Sequence, residues 1–102
     1  MHVAEALSDP TRRRILELLA EDGELPAGAL AAEFPVSRPA VSRHLRVLRE
    51  HGLVRVRDEA QRRIYSLDPA PLEELDEWLG RYRRFWSQRL DALDTQVRRA
   101  RR

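Results

Sequence analysis

Ser37, Ser42 and His44 lie close together in the sequence and are the side chains that most resemble a nucleophile with its base. A hydroxyl and an imidazole become a catalytic pair only when a turn presents one and a carboxylate orients the other. No strained turn or buried carboxylate is evident beside them. The adjacent carboxylates Glu73 and Glu74 fall in a helical segment, where such neighbours are ordinary surface residues. The chain has no cysteine, which removes disulfides, thiolate metal sites and cysteine nucleophiles. Its histidines are His2, His44 and His51, and the last two read as surface or boundary residues. Neither catalysis, nor a metal, nor a cofactor is expected.

Arginine is the residue type that stands out. The chain carries 19 basic residues, and all of them are Arg. Arg38 to Arg63 holds eight Arg against three acidic residues, whereas Asp68 to Asp94 holds seven acidic residues against four Arg. Net charge is only +2, so placement says more than the total. A basic middle beside an acidic later segment predicts that one region faces a polyanion and another does not. Arg makes forked contacts to phosphate and guanine; an arginine-rich codon composition accounts for the absence of lysine equally well.

The elements that must position these residues are well punctuated. With 102 residues, 42% hydrophobic and 35% charged, the chain is expected to form a single domain, 1–102, mostly α with a small β-hairpin. Residues 2–7 suit a short first helix. Asp9 as N-cap and Pro10 at the first helical position open a second, which runs to about Asp22 and stops at Gly23. Ile15, Leu18 and Leu19 give it an apolar stripe. Pro26 opens a short helix through Phe34, anchored by Leu30 and Phe34. Ser37 is an N-cap for the next helix, with Pro39 in its first turn and a hydrophobic staple between Val36 and Val41. Val41, Leu45 and Leu48 form its buried face, and Gly52 closes it. Leu53 to Arg57 then alternates and Ile64 to Leu67 is β-rich, with the polar stretch 58–62 between them, which predicts a hairpin. Asp68-Pro69-Ala70-Pro71 leads into a long helix to about Val97.

The short helix, break and following helix make a helix-turn-helix over 26–51, with a wing over 53–67 and a C-terminal helix over 71–98. In such a motif the second helix enters the DNA major groove by its N-terminal residues. Pro39, Arg43 and Arg46 project opposite the apolar face, with Ser37, Arg38 and Ser42 at the first turn. Arg suits the guanine edge, and Ser bonds to bases or phosphates. Arg62 and Arg63 in the wing, with Arg55 and Arg57, are placed for phosphates or a minor groove. Asp58 and Glu59 at the same tip oppose uniform attraction, and a solvated basic face explains any one of these arginines as well.

Three segments carry a family resemblance. Ala6-Leu-Ser-Asp-Pro-Thr-Arg-Arg-Arg-Ile-Leu-Glu-Leu-Leu resembles the opening of ArsR-type (SmtB-like) winged helix-turn-helix regulators. Phe34-Pro-Val-Ser-Arg-Pro-Ala-Val-Ser-Arg-His-Leu-Arg-Val-Leu-Arg-Glu-His-Gly-Leu-Val resembles their recognition helix and its exit. Arg63-Ile-Tyr-Ser-Leu-Asp-Pro resembles their second wing strand. The tail from Trp78 to Leu93 is similar to a branch that does not sense metals. The resemblance implies a homodimer built from the first and last helices; a cytoplasmic location is the default expectation for a sequence that opens on a mixed, charged stretch. It implies repression by binding a palindromic operator in double-stranded DNA, with Arg38, Pro39, Ser42 and Arg43 at contact positions. Two departures stand out: the wing turn lacks the glycine often found there, and the metal ligands of sensing relatives are missing, since no His lies beyond His51.

The long helix repeats apolar residues every three or four positions: Leu72, Leu75, Leu79, Tyr82, Trp86, Leu90, Leu93 and Val97. At 1.5 Å per residue it spans about 40 Å, longer than so small a globule covers, so a second chain is expected against it. Trp78, Tyr82, Phe85 and Trp86 pack in that dimer core or line a pocket for a small-molecule effector. Two rivals to a DNA-binding regulator remain: a winged helix that binds protein, and a small enzyme or ligand carrier. No run of residues is apolar enough to suggest a membrane span. The Arg-rich tail, Arg98, Arg99, Arg101 and Arg102, is either frayed or in contact with nucleic acid.

Overall fold

A computed structural model describes residues 3–101; His2 and Arg102 lie outside them. The order is α1 (Val3–Ala6), α2 (Pro10–Asp22), β1 (Glu24–Pro26), α3 (Ala27–Ala32), α4 (Arg38–Glu50), β2 (Val54–Glu59), β3 (Arg62–Leu67) and α5 (Ala70–Ala100). The chain divides into two compact units, Met1–Leu72 and Glu73–Arg102.

Helix ends follow the local chemistry of the sequence. The Asp9 carboxylate accepts the backbone N–H of Arg12 at 3.0 Å, and Pro10 occupies the first helical position of α2. Ile15, Leu16, Leu18 and Leu19 are buried along one side of that helix. Gly23, at φ 85°, donates its N–H to Leu19 O. Ser37 caps α4 by accepting the N–H of Ala40 at 3.3 Å. At the other end Leu53 N–H reaches Leu48 O at 2.9 Å and Gly52 N–H reaches Arg49 O at 3.0 Å. That is a Schellman closure, which needs a left-handed residue; Gly52 supplies it at φ 73°. Leu48 and Leu53, the two ends of the longer bond, are both fully buried. They join Ile15, Leu19, Leu30, Val41 and Leu45 in the core.

Four details depart from the sequence expectations. Pro26 does not begin the short helix: it ends β1, an edge strand whose partner is β3. An edge strand tolerates a residue without an N–H. The hairpin is thus part of a three-stranded antiparallel sheet of order β1-β3-β2. Its strands run further than expected, pairing Glu59 with Arg62 across a two-residue turn. Ala60 takes the positive φ of that turn, 56°, the conformation for which glycine is usually selected. Finally, Phe34 is only half-buried, and Val36 is 45% exposed, so the staple with Val41 is not a buried one.

The Asp68 carboxylate accepts the N–H of Ala70 at the start of α5 at 3.1 Å. That bond, outweighing a burial effect in the opposite direction, holds its acid below the ordinary value with help from Arg55. No residue of α5 is buried. No helix among the described residues is long and apolar enough to cross a membrane.

Gly52→Ala tests the closure of α4. An added Cβ would meet Pro71 Cγ at 3.7 Å, an ordinary contact, so the cost is conformational. We expect a loss of about 1 kcal/mol, the left-handed strain less the entropy gained from the unfolded chain, read as a lower urea midpoint at unchanged slope.

Candidate nucleic-acid interface

The buried face of α4 sets the direction of everything else on it. Val41, Leu45 and Leu48 are 1%, 2% and 0% exposed. At ~100° per residue, Pro39, Arg43 and Arg46 then face away from the core, and all three are exposed. Arg38 and Ser42 flank them in the first two turns, also exposed. The Ser37 oxygen is engaged as the cap acceptor, which leaves its O–H to donate outward. Glu50 ends the same outward face. Positive charge is therefore concentrated over the N-terminal turns, the part of a recognition helix that reaches base edges.

Ion pairs and side-chain hydrogen bonds together separate the arginines of residues 3–72 into two classes. Arg14 pairs with Glu17. Arg12 and Arg13 donate to the carbonyls of Ala6 and Leu7. Arg55 lies 3.3 Å from Asp68, and Arg57 bridges Glu24 at 2.7 Å and Glu59 at 2.8 Å. The bonds to Glu24 and then Glu59 raise the Arg57 pKa, and the Arg57 bond lowers that of Glu24. These groups are exposed, so solvent screens the pairs and each stabilises little. Six arginines remain: Arg38, Arg43, Arg46, Arg49, Arg62 and Arg63. Among the described residues none of the six has a carboxylate within salt-bridge distance. All six belong to α4 or β3.

Five of the six, all but Arg43, border two notches. One, of about 540 Å³, lies between the start of α3 and the wing tip and is edged by Arg38, Gln61, Arg62 and Arg63. A Cβ on Gly28 would come within 3.2 Å of Arg38 Nη2 there, so glycine leaves room for that guanidinium. The other, of about 200 Å³, is edged by Ser42, Arg46, Arg49 and Arg63. Strand alternation sends Arg62 and Arg63 to opposite faces of the hairpin, which is why only Arg63 reaches both notches. Arg49 was not singled out by the sequence reading, although its spacing of i+7 from Ser42 and i+3 from Arg46 was available to find it.

The opposite flank of α4 meets the N-terminal segment. His44 Nδ1 lies 3.7 Å from Asp9 Oδ2, and His51 Nε2 lies 3.9 Å from Glu5 Oε2. His51 Nδ1 also sits 2.8 Å from Val47 O. Burial pushes the Asp9 pKa up, but the Arg12 N–H bond and then the His44 and Arg12 charges outweigh it, so Asp9 stays below its ordinary 3.8. A lowered carboxyl adds stability above that value and loses it as pH falls through the folded one. Among the described residues no three His, Cys, Asp or Glu side chains converge as metal ligands would.

The residues expected at a dimer interface lie on α5. Leu72, Leu75 and Leu79 are half-buried. Tyr82 is 43%, Trp86 50%, Leu90 65% and Leu93 56% exposed. The Trp78 and Tyr82 rings pack at a tilt with centroids 5.0 Å apart, and the Arg89 guanidinium lies 4.4 Å from the Phe85 ring centre.

Comparison with known proteins places the chain in a family. The helix-turn-helix domain family matches residues 7–57. The HTH-type transcriptional regulator Rv2034 of Mycobacterium tuberculosis is 50% identical over 86 residues, 84% of this chain and 77% of that protein. The transcriptional repressor SdpR of Bacillus subtilis is 37% identical over 78 residues, 76% of this chain and 86% of that one. An ArsR-like transcriptional regulator from Rhodococcus sp. RHA1 has a similar structure, with a TM-score of 0.70 at 36% identity over 89% of this chain and 85% of that one.

The pairing pattern is testable on a heparin column. Arg57→Ala and Arg63→Ala each remove one charge, so overall charge does not distinguish them. Arg63→Ala should elute at clearly lower salt than wild type and Arg57→Ala close to it, because Arg57 is already neutralised by two carboxylates. Equal shifts would mean that both are simply solvated charges.

Proposed function

Because the chain belongs to the ArsR-type helix-turn-helix transcriptional regulators, which bind DNA, we propose that it acts in the cytoplasm as a homodimeric repressor of a palindromic operator. The observation that carries this reading is the set of six arginines of residues 3–72 that have neither a carboxylate nor a carbonyl partner, all on α4 and β3. A surface of uncompensated cations around an outward helix face suits a phosphate-lined groove.

In this reading α4 enters the major groove by its first turns. Ser37, Arg38, Pro39, Ser42 and Arg43 face base edges or the nearest phosphates, and Arg46 follows one turn behind. Arg62 and Arg63 hold the flanking backbone from the wing. Contacts to phosphate position the protein, and those of Arg38, Ser42 and Arg43 to bases select the sequence. Two α4 helices reach successive major grooves when their centres are about 34 Å apart, which is the role proposed for a dimer. Occupying a promoter in this way excludes polymerase.

Two apolar surfaces support dimer formation. Leu72, Leu75, Leu79, Tyr82, Trp86, Leu90 and Leu93 share one stripe of α5, whose outer members are half or more exposed. A groove of about 310 Å³, which Leu72 also borders, is edged by Leu7, Leu16, Ala20 and Leu67, with Arg13 and Glu17 at its rim. Contiguous apolar surface of this kind marks an interaction site.

Titration of the purified chain against its own upstream promoter and a scrambled duplex, at several salt concentrations, tests the regulator. About a thousandfold preference with a steep salt slope is expected. Absence of binding at low salt would favour the winged helix as a protein-interaction module. Sedimentation tests the dimer: Leu90→Arg should shift the chain to monomer and weaken promoter binding by about a hundredfold or more, the loss of two-site avidity. A Leu90→Arg variant that stays dimeric would remove α5 from the interface.

A further inference from the structure

We propose that the notch between α4 and β3 is a seat for one backbone phosphate of the bound DNA, and that Arg49 is the residue that positions it. The inference rests on the DNA-binding reading and adds to it a site and a residue. The notch holds about 200 Å³ and is lined by Ala27, Ser42, Arg46, Arg49, Arg63 and Tyr65. Three arginines, one serine and one tyrosine line it, with no carboxylate among the lining residues. Ser42, Arg46 and Arg49 fall at i, i+4 and i+7, one line along α4. Arg63 enters from the strand, its guanidinium 5.9 Å from the Tyr65 ring centre, within range of a weak cation–π contact.

The ligand class follows from charge and direction. Three cations around one cleft repel one another, and an anion relieves that repulsion while accepting hydrogen bonds from all three. Arg49 lies roughly 100° around the helix from the outward axis on which Arg43 sits, so its occupant belongs to the groove edge and not to the base pairs. Glu50 occupies the outward face at the same level of α4. A phosphate approaching this end of the helix is repelled by that carboxylate on the outward side and attracted on the wing side. One strand of the duplex would then be gripped by the helix and the wing together.

The test is the salt dependence of DNA affinity for wild type, Arg49→Ala, Arg49→Lys and Arg43→Ala, on the promoter and on a scrambled duplex. Arg49→Ala should lower the log–log salt slope by about 0.9, so that between 50 and 200 mM salt the wild type weakens about 3–4-fold more than the variant. Its loss should be the same on both duplexes, and Arg49→Lys should keep most of the slope. Arg43→Ala, by contrast, should lose more on the promoter than on the scrambled duplex. An unchanged slope for Arg49→Ala with wild-type binding intact would overturn the phosphate seat alone, as would a loss confined to the promoter. Inorganic phosphate that raises the melting temperature of wild type but not of Arg49→Ala, with the DNA slope unchanged, would assign the notch to a free anion and overturn it too. Failure of wild type to bind either duplex would overturn the DNA reading and this inference with it.

Discussion

The rotational setting of α4 is the constraint on which the rest depends. It is fixed by three side chains, Val41, Leu45 and Leu48, none more than 2% exposed. Each fully buried aliphatic side chain is worth about 1.5–3 kcal/mol, in a domain whose net stability is of order 5–15 kcal/mol. Rotating the helix by one residue would expose these three and bury Ser42, Arg46 and Arg49, the next line along its surface. Two buried guanidinium groups without partners would cost far more than the fold has to spare. The helix is therefore locked in one orientation, and its three remaining directions acquire distinct roles. One faces outward with Pro39 and Arg43, one faces the wing with Ser42 and Arg49, and one faces the N-terminal segment with His44 and His51.

Much of this was legible in the sequence because helix signals are local. A cap, its acceptor and its first N–H lie within three residues, so Asp9, Ser37 and Gly52 could be read before any tertiary contact was known. The outward face of α4 followed from periodicity alone. β1 could not be read in that way. It has three residues, one of them proline, and its only partner strand lies some 40 residues later, pairing Glu24 with Ser66. A strand that short has no alternation to detect, and its existence is decided by β3. The turn of the wing was obscured for a related reason. Ala60 adopts a left-handed conformation that its own chemistry disfavours, imposed by pairing that continues on either side to Glu59 and Arg62.

The site was legible in composition and hidden in partition. Eight arginines between residues 38 and 63 look alike in the sequence, and Arg55 and Arg57 were grouped with Arg62 and Arg63. Their difference is tertiary. Arg57 is answered by Glu24, 33 residues away, and register places both on the same face of the sheet, on β2 and β1 with β3 between them. Arg55 is answered by Asp68, which also caps the entry to α5. Counting charges along the chain therefore overstates the basic surface, and the pairing pattern locates it.

The same reasoning applied to α5 gives the opposite result. Its charges are partly satisfied within the helix: Asp94 pairs with Arg98 at 3.1 Å, and Asp76 pairs with Arg83. Its aromatic and aliphatic stripe is what remains uncovered, from Trp78 at 43% to Leu90 at 65% exposed. Unanswered cations on α4 and β3 call for an anion, which another copy of a nearly neutral chain supplies poorly and a nucleic-acid backbone supplies well. An uncovered aromatic stripe calls for apolar surface, which DNA phosphates do not offer and a second α5 does. Two incomplete surfaces with different chemical deficits suit the two partners proposed for them, nucleic acid for the cations and a second copy of the chain for the stripe.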